Sequence, residues 1–180
     1  MKVKIYAILF REDDPAKNTT LKMIRAGLAL RASRYTLRLP LLILNPYSSE
    51  YIGPWHRNIA EKYGLLVVDA SWRRLDPSKF RGLRGVHVKL PPLIPGNPIN
   101  YGKTCILSSI EAVAASLFIL GFKNEYEKLL GLYKWMRTFN DLNIKLLESY
   151  SKTRTPGELV EIIKTFWEVE NPCYVFKENT

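Results

Sequence analysis

The chain has 180 residues, 47% of them hydrophobic, and carries a net charge of +10 at pH 7. This length permits one large domain or two small ones around a hydrophobic core. The longest apolar run is too short to span a membrane, and the two cysteines and two histidines have no metal-ligand spacing. We therefore expect a soluble protein of the reducing cytoplasm, without a membrane segment or a bound metal. We also expect a monomer.

The excess positive charge lies entirely in the first half of the sequence. Residues 1–90 contain 17 Lys and Arg against 7 Asp and Glu, whereas residues 91–180 contain 10 of each kind. A generally basic protein would spread its excess more evenly. Segregated charge favours a polyanionic partner, and we predict a nucleic acid that contacts the first half.

Residues 2–10 predict a first strand, because alternating apolar residues lead into a continuous apolar run. The charged loop that follows contains the acidic trio Glu12–Asp14, which we interpret as a solvated loop rather than a metal site. Thr19 or Thr20 then predicts the cap of a helix whose apolar positions extend over residues 21–30.

Three further strands complete a predicted sheet. The apolar residues 41–44 and 65–70 predict buried strands, and residues 86–90 predict a short last one. A short helix separates the first two of these strands; Pro54 opens it and Gly64 ends it. Strands that are separated by helices and loops predict an open, parallel α/β sheet, in which ligands bind beyond the carboxyl ends of the strands.

The second half of the sequence predicts helices. A capping box formed by Ser108 and Glu111 starts the first of them. The other predicted helices cover residues 125–136 and 139–150, and a last one begins at a second capping box whose first residue is Thr155. This half therefore predicts a small all-α unit.

A proline-rich segment, residues 90–102, joins the two halves. Its four prolines fix φ and lack a backbone donor, which predicts a stiff, irregular loop. The loop leads into the helix N-terminus at Ser108, an arrangement that can bind an anionic or zwitterionic ligand. A simple linker between two domains is an equally acceptable interpretation of these residues alone.

Residues that follow the predicted strands could hold an adenosyl ligand. The carboxylate of Asp69 could pair with a ligand ammonium, and the ring of Trp72 could cover an apolar arm or a sulfonium. The helix N-terminus near Ser109 could receive a carboxylate. The alternative is that Asp69 caps a helix and Trp72 is a core residue. The sequence contains no glycine-rich dinucleotide motif and no P-loop.

Four motifs, taken together and in this order, resemble the signature of one family. They are VVDASW at Val67–Trp72, LPPLIPGNPINYG at Leu90–Gly102, LSSIEAVAASL at Leu107–Leu117, and a tail pattern of aromatic, Asn and Leu positions within Tyr133–Tyr150. The chain resembles the small-subunit (16S/18S) rRNA aminocarboxypropyltransferases of archaea and eukaryotes over roughly its first 150 residues.

The resemblance implies both a fold and an activity. The fold is a parallel-sheet, SPOUT-like α/β domain with a trefoil knot over residues 1–90, followed by a small all-α domain over residues 91–180, with residues 90–109 completing the cofactor pocket. The activity is transfer of the 3-amino-3-carboxypropyl group of S-adenosylmethionine to a hypermodified pseudouridine of small-subunit rRNA. Methylthioadenosine is released, and the pre-ribosomal subunit is the partner in ribosome biogenesis.

The resemblance also implies the site residues. Cofactor contacts, made largely through backbone groups, are expected at Thr19, Leu44, Val68, Asp69, Trp72, Leu90, Cys105 and Ser109. Asp69 is expected to face the methionine amino group and is the nearest candidate general base by sequence. RNA phosphates are expected to contact the basic residues Lys17, Lys22, Arg25, Arg73, Arg74, Lys79, Arg81 and Arg84.

The chain departs from the family pattern at several positions. Asn18 and Ala70 stand where the family has cysteines, which excludes cysteine chemistry there, and a usual basic run is reduced to Ala16-Lys17. Two rival functions stay open at this point. One is an ordinary SPOUT-type rRNA methyltransferase, and the other is a non-catalytic rRNA-binding assembly factor.

Overall fold

A five-stranded sheet forms the centre of this computed structural model, which describes residues 2–10, 14–168 and 172–173. The strands are β1 (Ile5–Leu9), β2 (Leu30–Arg31), β3 (Leu41–Leu44), β4 (Leu65–Asp69) and β5 (Gly85–Val88), in the order β2-β1-β4-β3-β5. Every pair of neighbouring strands is parallel. The predicted parallel α/β sheet is confirmed. Two residues of the predicted acidic loop, Glu12 and Asp13, lie outside the described residues.

Six α-helices are present in the described part of the chain. They are α1 (Thr19–Arg25), α2 (Arg57–Tyr63), α3 (Ser109–Ile119), α4 (Lys123–Leu130), α5 (Trp135–Ser151) and α6 (Pro156–Trp167). Half of the predicted second capping box is confirmed: the Thr155 hydroxyl accepts a hydrogen bond from the Glu158 N–H, but the Glu158 carboxylate accepts from the N–H of Arg154 and not of Thr155. Within the described ranges, none of these helices is both long and apolar enough to cross a membrane.

The prediction for the segment after β1 is wrong at both ends. Asn18, not a threonine, caps α1, because its Oδ1 accepts a hydrogen bond from the Leu21 N–H at 2.8 Å. The helix ends at Arg25, and Gly27 turns the chain with a φ of 71°. Residues 30–31 then pair with β1 as an edge strand, because pairing with the sheet outweighs the helical pattern of the sequence.

The predicted boundaries of the next two helices are also wrong. We expected helices over residues 125–136 and 139–150, but α4 ends at Leu130 and α5 runs without a break from Trp135. Gly131, a poor helix former, caps α4, and the chain turns before Trp135. The continuous α5 places Met136 and Phe139 on one fully buried face.

Different elements pack against the two faces of the sheet. Alternate residues of the strands point to opposite sides, so Leu42 and Leu44 belong to the main core, whereas Leu41 and Ile43 belong to a smaller one. Helices α1, α2 and α3 cover the main face, and loop residues such as Phe80 cover the other. The main core extends from the strands into α4, α5 and α6. The division of the chain into two domains at residue 90 stays a prediction.

Candidate functional site

A cavity of about 160 Å³ lies beyond the carboxyl ends of three neighbouring strands, β4, β3 and β5. Six of the eight residues predicted to contact a cofactor line it: Leu44, Val68, Trp72, Leu90, Cys105 and Ser109. They come from four separate parts of the chain, and parallel pairing brings their strand ends to one edge of the sheet. The structure therefore assembles most of the predicted residue set around one cavity.

The other two predicted residues, Thr19 and Asp69, lie next to the cavity but not in its wall. Thr19 is buried at the start of α1, where its hydroxyl oxygen accepts a hydrogen bond from the Ile110 N–H at 3.3 Å. This contact joins the first turn of α1 to the first turn of α3. Thr19 therefore supports the helix that borders the cavity.

The carboxylate of Asp69 is held by three hydrogen bonds. It accepts one from the Asn18 amide at 2.6 Å, one from the Thr20 hydroxyl at 2.7 Å and one from the Ser109 hydroxyl at 2.7 Å. The side chain is 8% exposed. Asp69 thus connects β4, α1 and α3, and Ser109 is the residue through which it reaches the cavity wall. The contact of Asp69 with a ligand amino group and its role as a general base stay predictions.

Trp72 forms part of the wall on the side of the loop that follows β4. Its indole Nε1–H donates a hydrogen bond of 2.8 Å to the carbonyl oxygen of Leu107, the residue two positions before α3. The bond fixes the plane of the indole next to the N-terminus of α3. The interpretation of Trp72 as a core residue is wrong, because the side chain borders the cavity and is only partly buried.

The proline-rich loop is fastened to α3 by one fully buried carboxylate. Glu111 accepts hydrogen bonds from the N–H groups of Gly96 and Asn97 at 2.7 and 3.0 Å. Its other oxygen accepts from the N–H and hydroxyl of Ser108, both at 2.7 Å, which confirms the first capping box. Burial raises the pKa of Glu111, and these four hydrogen bonds oppose the rise.

Helix α5 holds the same loop from the other side. The Asn143 amide accepts from the Ile94 N–H at 2.8 Å and donates to the Ile94 carbonyl at 2.7 Å. The Tyr150 hydroxyl donates to the Pro92 carbonyl at 3.0 Å, and burial raises the pKa of this tyrosine. The loop is therefore a fixed part of the structure beside the cavity, not a free linker.

Two residues of the cavity wall that sequence reasoning missed are Lys89 and Tyr51. They pair as an isolated parallel bridge beyond β5, and the Lys89 ammonium lies 4.6 Å from the centre of the Tyr51 ring. Burial lowers the pKa of Lys89. Lys89 directly precedes the predicted Leu90, so its position at a strand end was a usable signal. Tyr51 has no signal in the sequence, since it belongs to no strand.

A disulfide joins Cys105 and Cys173, and both half-cystines line the cavity. The pairing differs from what we expected of two cysteines in a reducing compartment, and no spacing rule reveals it at a separation of 68 residues. Intracellular disulfides are a known exception in hyperthermophiles. The bond makes a residue near the C-terminus part of the site.

The eight basic residues predicted to contact RNA are distributed over both faces of the sheet and the end beside the cavity. Lys17, Lys22 and Arg25 accompany α1 on the main face, where Lys22 also contacts the Tyr133 ring at 4.1 Å. Arg73 and Arg74 follow the carboxyl end of β4 beside the cavity. The remaining three, Lys79, Arg81 and Arg84, follow the loop that covers the other face. All except the half-buried Lys79 are exposed.

The cavity fits an adenosyl ligand by its chemistry. Its wall is mainly apolar, it lies where parallel sheets bind nucleotides, and the N-terminus of α3 borders it at Ser109. Among the described residues, no group of three or more His, Cys, Asp or Glu side chains could hold a metal ion.

Fold and site together define an α/β protein that binds a nucleotide-like ligand beyond the carboxyl ends of parallel strands. Residues 42–167 match the family model described as "Ribosome biogenesis protein, C-terminal". The chain belongs to this family, whose members include 16S rRNA aminocarboxypropyltransferases. The resemblance read from the sequence motifs is confirmed.

Individual relatives match nearly the whole chain. It is 41% identical over 160 residues to the 16S rRNA aminocarboxypropyltransferase of Sulfurisphaera tokodaii, covering 89% of this chain and 93% of the relative. It is 40% identical over 169 residues to that of Methanothermobacter thermautotrophicus, covering 92% and 98%. Among solved structures, the SAM-dependent rRNA:acp-transferase Tsr3 from Vulcanisaeta distributa matches with a TM-score of 0.86, 37% identity and coverage of 98% and 95%.

Proposed function

We propose that the protein transfers the 3-amino-3-carboxypropyl group of S-adenosylmethionine to a (methyl)pseudouridine of small-subunit rRNA during ribosome biogenesis, with release of methylthioadenosine. The observation that carries the proposal is the cavity at the carboxyl ends of β4, β3 and β5, lined by six of the residues expected from the motifs. It is supported by the likeness to an rRNA acp-transferase over 98% of the chain.

The choice of the transferred group is a matter of orientation. Bound S-adenosylmethionine supplies a sulfonium with three electrophilic carbons, and in-line displacement selects the carbon that faces the nucleophile. The apolar wall around Leu44 and Trp72 is suited to cover the methyl group, which leaves the carbon of the aminocarboxypropyl arm exposed. Trp72 would act by position, because its hydrogen bond to Leu107 fixes the ring.

The polar arm of the ligand is proposed to lie toward α3. The backbone N–H groups in the first turn of α3 are suited to a carboxylate. The Asp69–Ser109 pair is suited to an amino group, which would replace or share the Ser109 hydroxyl donor. Thr19 does not line the cavity; its hydrogen bond with the Ile110 N–H would hold the start of α3 in place.

The nucleophile needs to lose a proton. A uracil ring nitrogen forms the new N–C bond, the C–S bond breaks, and the sulfur of the departing methylthioadenosine keeps the electron pair. We assign the proton of the ring nitrogen to Asp69, whose carboxylate is hydrogen-bonded to the wall residue Ser109. Proximity and orientation supply most of the rate enhancement in this scheme.

The basic residues Lys17, Lys22, Arg25, Arg73, Arg74, Lys79, Arg81 and Arg84 are proposed to hold rRNA phosphates, so binding should weaken steeply with salt. We further propose that the protein acts as a monomer on a pre-ribosomal subunit in the cytoplasm.

The chain is proposed to form a trefoil knot where the segment after β5 returns to the cavity. The hydrogen bond from the Cys105 N–H to the Leu93 carbonyl, which closes this segment into a loop, is compatible with such a path.

Product analysis tests the proposed reaction. The protein is incubated with small-subunit rRNA and S-adenosylmethionine, and the small-molecule product is identified by mass spectrometry. We expect methylthioadenosine in amounts that match the modified RNA. S-adenosylhomocysteine would instead identify a methyltransferase, and tight rRNA binding without calorimetric cofactor binding would identify a non-catalytic assembly factor. Reactions without RNA serve as the control for cofactor breakdown.

A further inference from the structure

Three arginines converge at the edge of the sheet opposite to the cavity. Arg34, Arg38 and Arg84 line one open surface depression together with Leu37 and Gly82. The first two precede the amino end of β3, and Arg84 precedes the amino end of β5. Because the cavity lies beyond the carboxyl ends of the same strands, the depression is separated from it by at least the length of β3, about 10 Å.

The backbone under these arginines is fixed. The Ser33 hydroxyl accepts a hydrogen bond from the Thr36 N–H at 3.1 Å and bonds to the Thr36 hydroxyl at 2.9 Å, which holds the turn that carries Arg34 and Arg38. Gly85 allows β5 to approach β3, since a Cβ there would lie 2.2 Å from the Leu41 carbonyl oxygen. Arg84 is thereby held next to the turn.

The charge of the depression is uncompensated within the described part of the chain. All three arginines are exposed, and none forms an ion pair with a described acidic residue. Asp76, in the same loop as Arg84, has its pKa lowered mainly by hydrogen bonds from Ser78, with Lys79 and Arg81 as the cations that affect it. Three planar guanidinium groups around one depression match the oxygens of a phosphate.

An exposed aromatic ring accompanies the arginines. Tyr35 lies between Arg34 and Arg38 in the turn, and it is 75% exposed, the largest exposure among the large hydrophobic side chains of the described residues. A positive groove with an exposed aromatic ring is the usual arrangement for binding single-stranded nucleic acid, since the ring stacks on a base while the cations hold the backbone.

We propose that Arg34, Arg38 and Arg84 bind a phosphodiester of a single-stranded segment of the rRNA substrate, and that Tyr35 stacks on a neighbouring base. This subsite rests on the proposed function and adds a second RNA contact, away from the reacting nucleotide. A separation of at least about 10 Å corresponds to at least about three stacked nucleotides at 3.4 Å each. Arg73, Arg74, Lys79 and Arg81 belong to the segment of chain that connects the carboxyl end of β4, beside the cavity, with Arg84 in the depression.

Salt-dependent RNA binding tests the arginines. The triple variant Arg34→Ala/Arg38→Ala/Arg84→Ala is compared with Lys145→Ala/Lys152→Ala/Arg154→Ala, which removes the same charge from exposed positions of the helical half. We expect the first variant to bind a single-stranded small-subunit rRNA fragment at least tenfold more weakly. We also expect its salt slope to be shallower by about two to three, because that many phosphate contacts are lost. Equal affinity and equal slope in the two triple variants would overturn the proposal.

Further variants and competing ligands test the stacking contact, the preference for single strands and the phosphate contact one by one. Tyr35→Ala should weaken binding of the fragment about five- to hundredfold, whereas Tyr35→Phe should keep wild-type affinity. Binding that is unchanged in Tyr35→Ala would overturn the stacking contact. Equal affinity of the wild type for a duplex of the same sequence would overturn the preference for single strands, and competition by inorganic phosphate at equal concentration would identify a simple anion site. Cofactor binding, measured by calorimetry, should be unchanged in all these variants, so failure here is distinct from failure of the proposed reaction.

Discussion

At the scale of single residues, Trp72 is the side chain on which the orientation of the ligand depends most. Its ring lines the cavity, and one hydrogen bond to the Leu107 carbonyl fixes it. We expect Trp72→Ala to weaken S-adenosylmethionine binding by at least about tenfold, because the ring contributes a large apolar contact. Calorimetry measures this, with Trp135→Ala as the control for loss of a half-buried indole elsewhere. Full cofactor affinity in Trp72→Ala would show that Trp72 does not contribute to cofactor binding.

Asp69 needs a test that separates proton transfer from support of the structure. Asp69→Asn should lower kcat by about 10²–10⁴, because the variant lacks the carboxylate that takes the proton. Asn18→Ala removes one of the three donors to that carboxylate, and with it the cap of α1, but leaves the carboxylate itself, so most of kcat should remain. If both variants lose the same share of kcat, Asp69 only organises α1 and α3.

Three of the predicted residues that line the cavity share one property, which is a position at the end of a recognisable strand or helix. Leu44, Val68 and Ser109 could be placed beside the cavity because parallel strand ends and the following helix N-terminus meet at one edge. Tyr51 and Cys173 could not be placed, since they reach the wall from irregular segments. Arg34 and Arg38 were missed because only the pairing of β3 with β5 brings them to Arg84.

At the scale of elements, the proline-rich loop depends on a buried carboxylate. Glu111→Gln keeps the size of the side chain but presents an amide N–H₂ to donors that now lack an acceptor. We expect a loss of about 2–4 kcal/mol in the free energy of unfolding, from one or two unpaired buried donors. Chemical denaturation measures it. Glu158→Gln is the matched control, because Glu158 holds the same position of the other capping box but is exposed.

A smaller loss is expected for that control, less than about 1 kcal/mol, because water can satisfy the Arg154 N–H that Glu158 now binds. Equal losses in the two variants would mean that the Glu111 contacts to the loop add nothing beyond the capping box. The capping box of α3 and the Thr155 cap of α6 were visible in the sequence, since their geometry is local. The contact from Glu111 to Gly96 was not, because it spans 15 residues of irregular chain.

The boundaries of helices and strands were predicted wrongly wherever contacts between distant parts of the chain determine them. The apolar pattern continued past Arg25, yet residues 30–31 joined the sheet edge as β2. The pattern around residues 131–134 was helical in period, yet the chain turns there before α5 begins. In both places the local propensities are weak, and contacts from distant parts of the chain select the structure.

At the scale of the whole molecule, the disulfide connects the C-terminal region to the site. Cys173→Ser should lower the free energy of unfolding by about 4 kcal/mol in the chain-entropy treatment, given the separation of 68 residues. Cofactor affinity should fall as well, because Cys173 forms part of the cavity wall. Thermal unfolding and calorimetry measure the two effects. Adding a reductant to the wild type should reproduce both and leave the variant unchanged; a wild type insensitive to reductant would contradict this role.

The parallel sheet and four of its strands were predictable because these strands are short, largely apolar and separated by helices and loops; the exposed edge strand β2 was not. The strand order β2-β1-β4-β3-β5 was not, since nothing in the sequence of β5 indicates that it pairs with β3 at the edge. The site follows from that order, which aligns the ends of β4, β3 and β5 beside α3. The charge asymmetry of the sequence likewise predicted that the first half is basic, but it did not show how the basic residues are distributed around the sheet.

The most direct test of the proposed reaction uses S-adenosylmethionine that carries distinguishable labels on its methyl and carboxyl carbons. Purified small-subunit rRNA is incubated with the protein, and the two labels are counted in the RNA. We expect carboxyl label in the RNA in proportion to turnover, with the methyl label remaining in methylthioadenosine. Methyl label in the RNA without carboxyl label would contradict it.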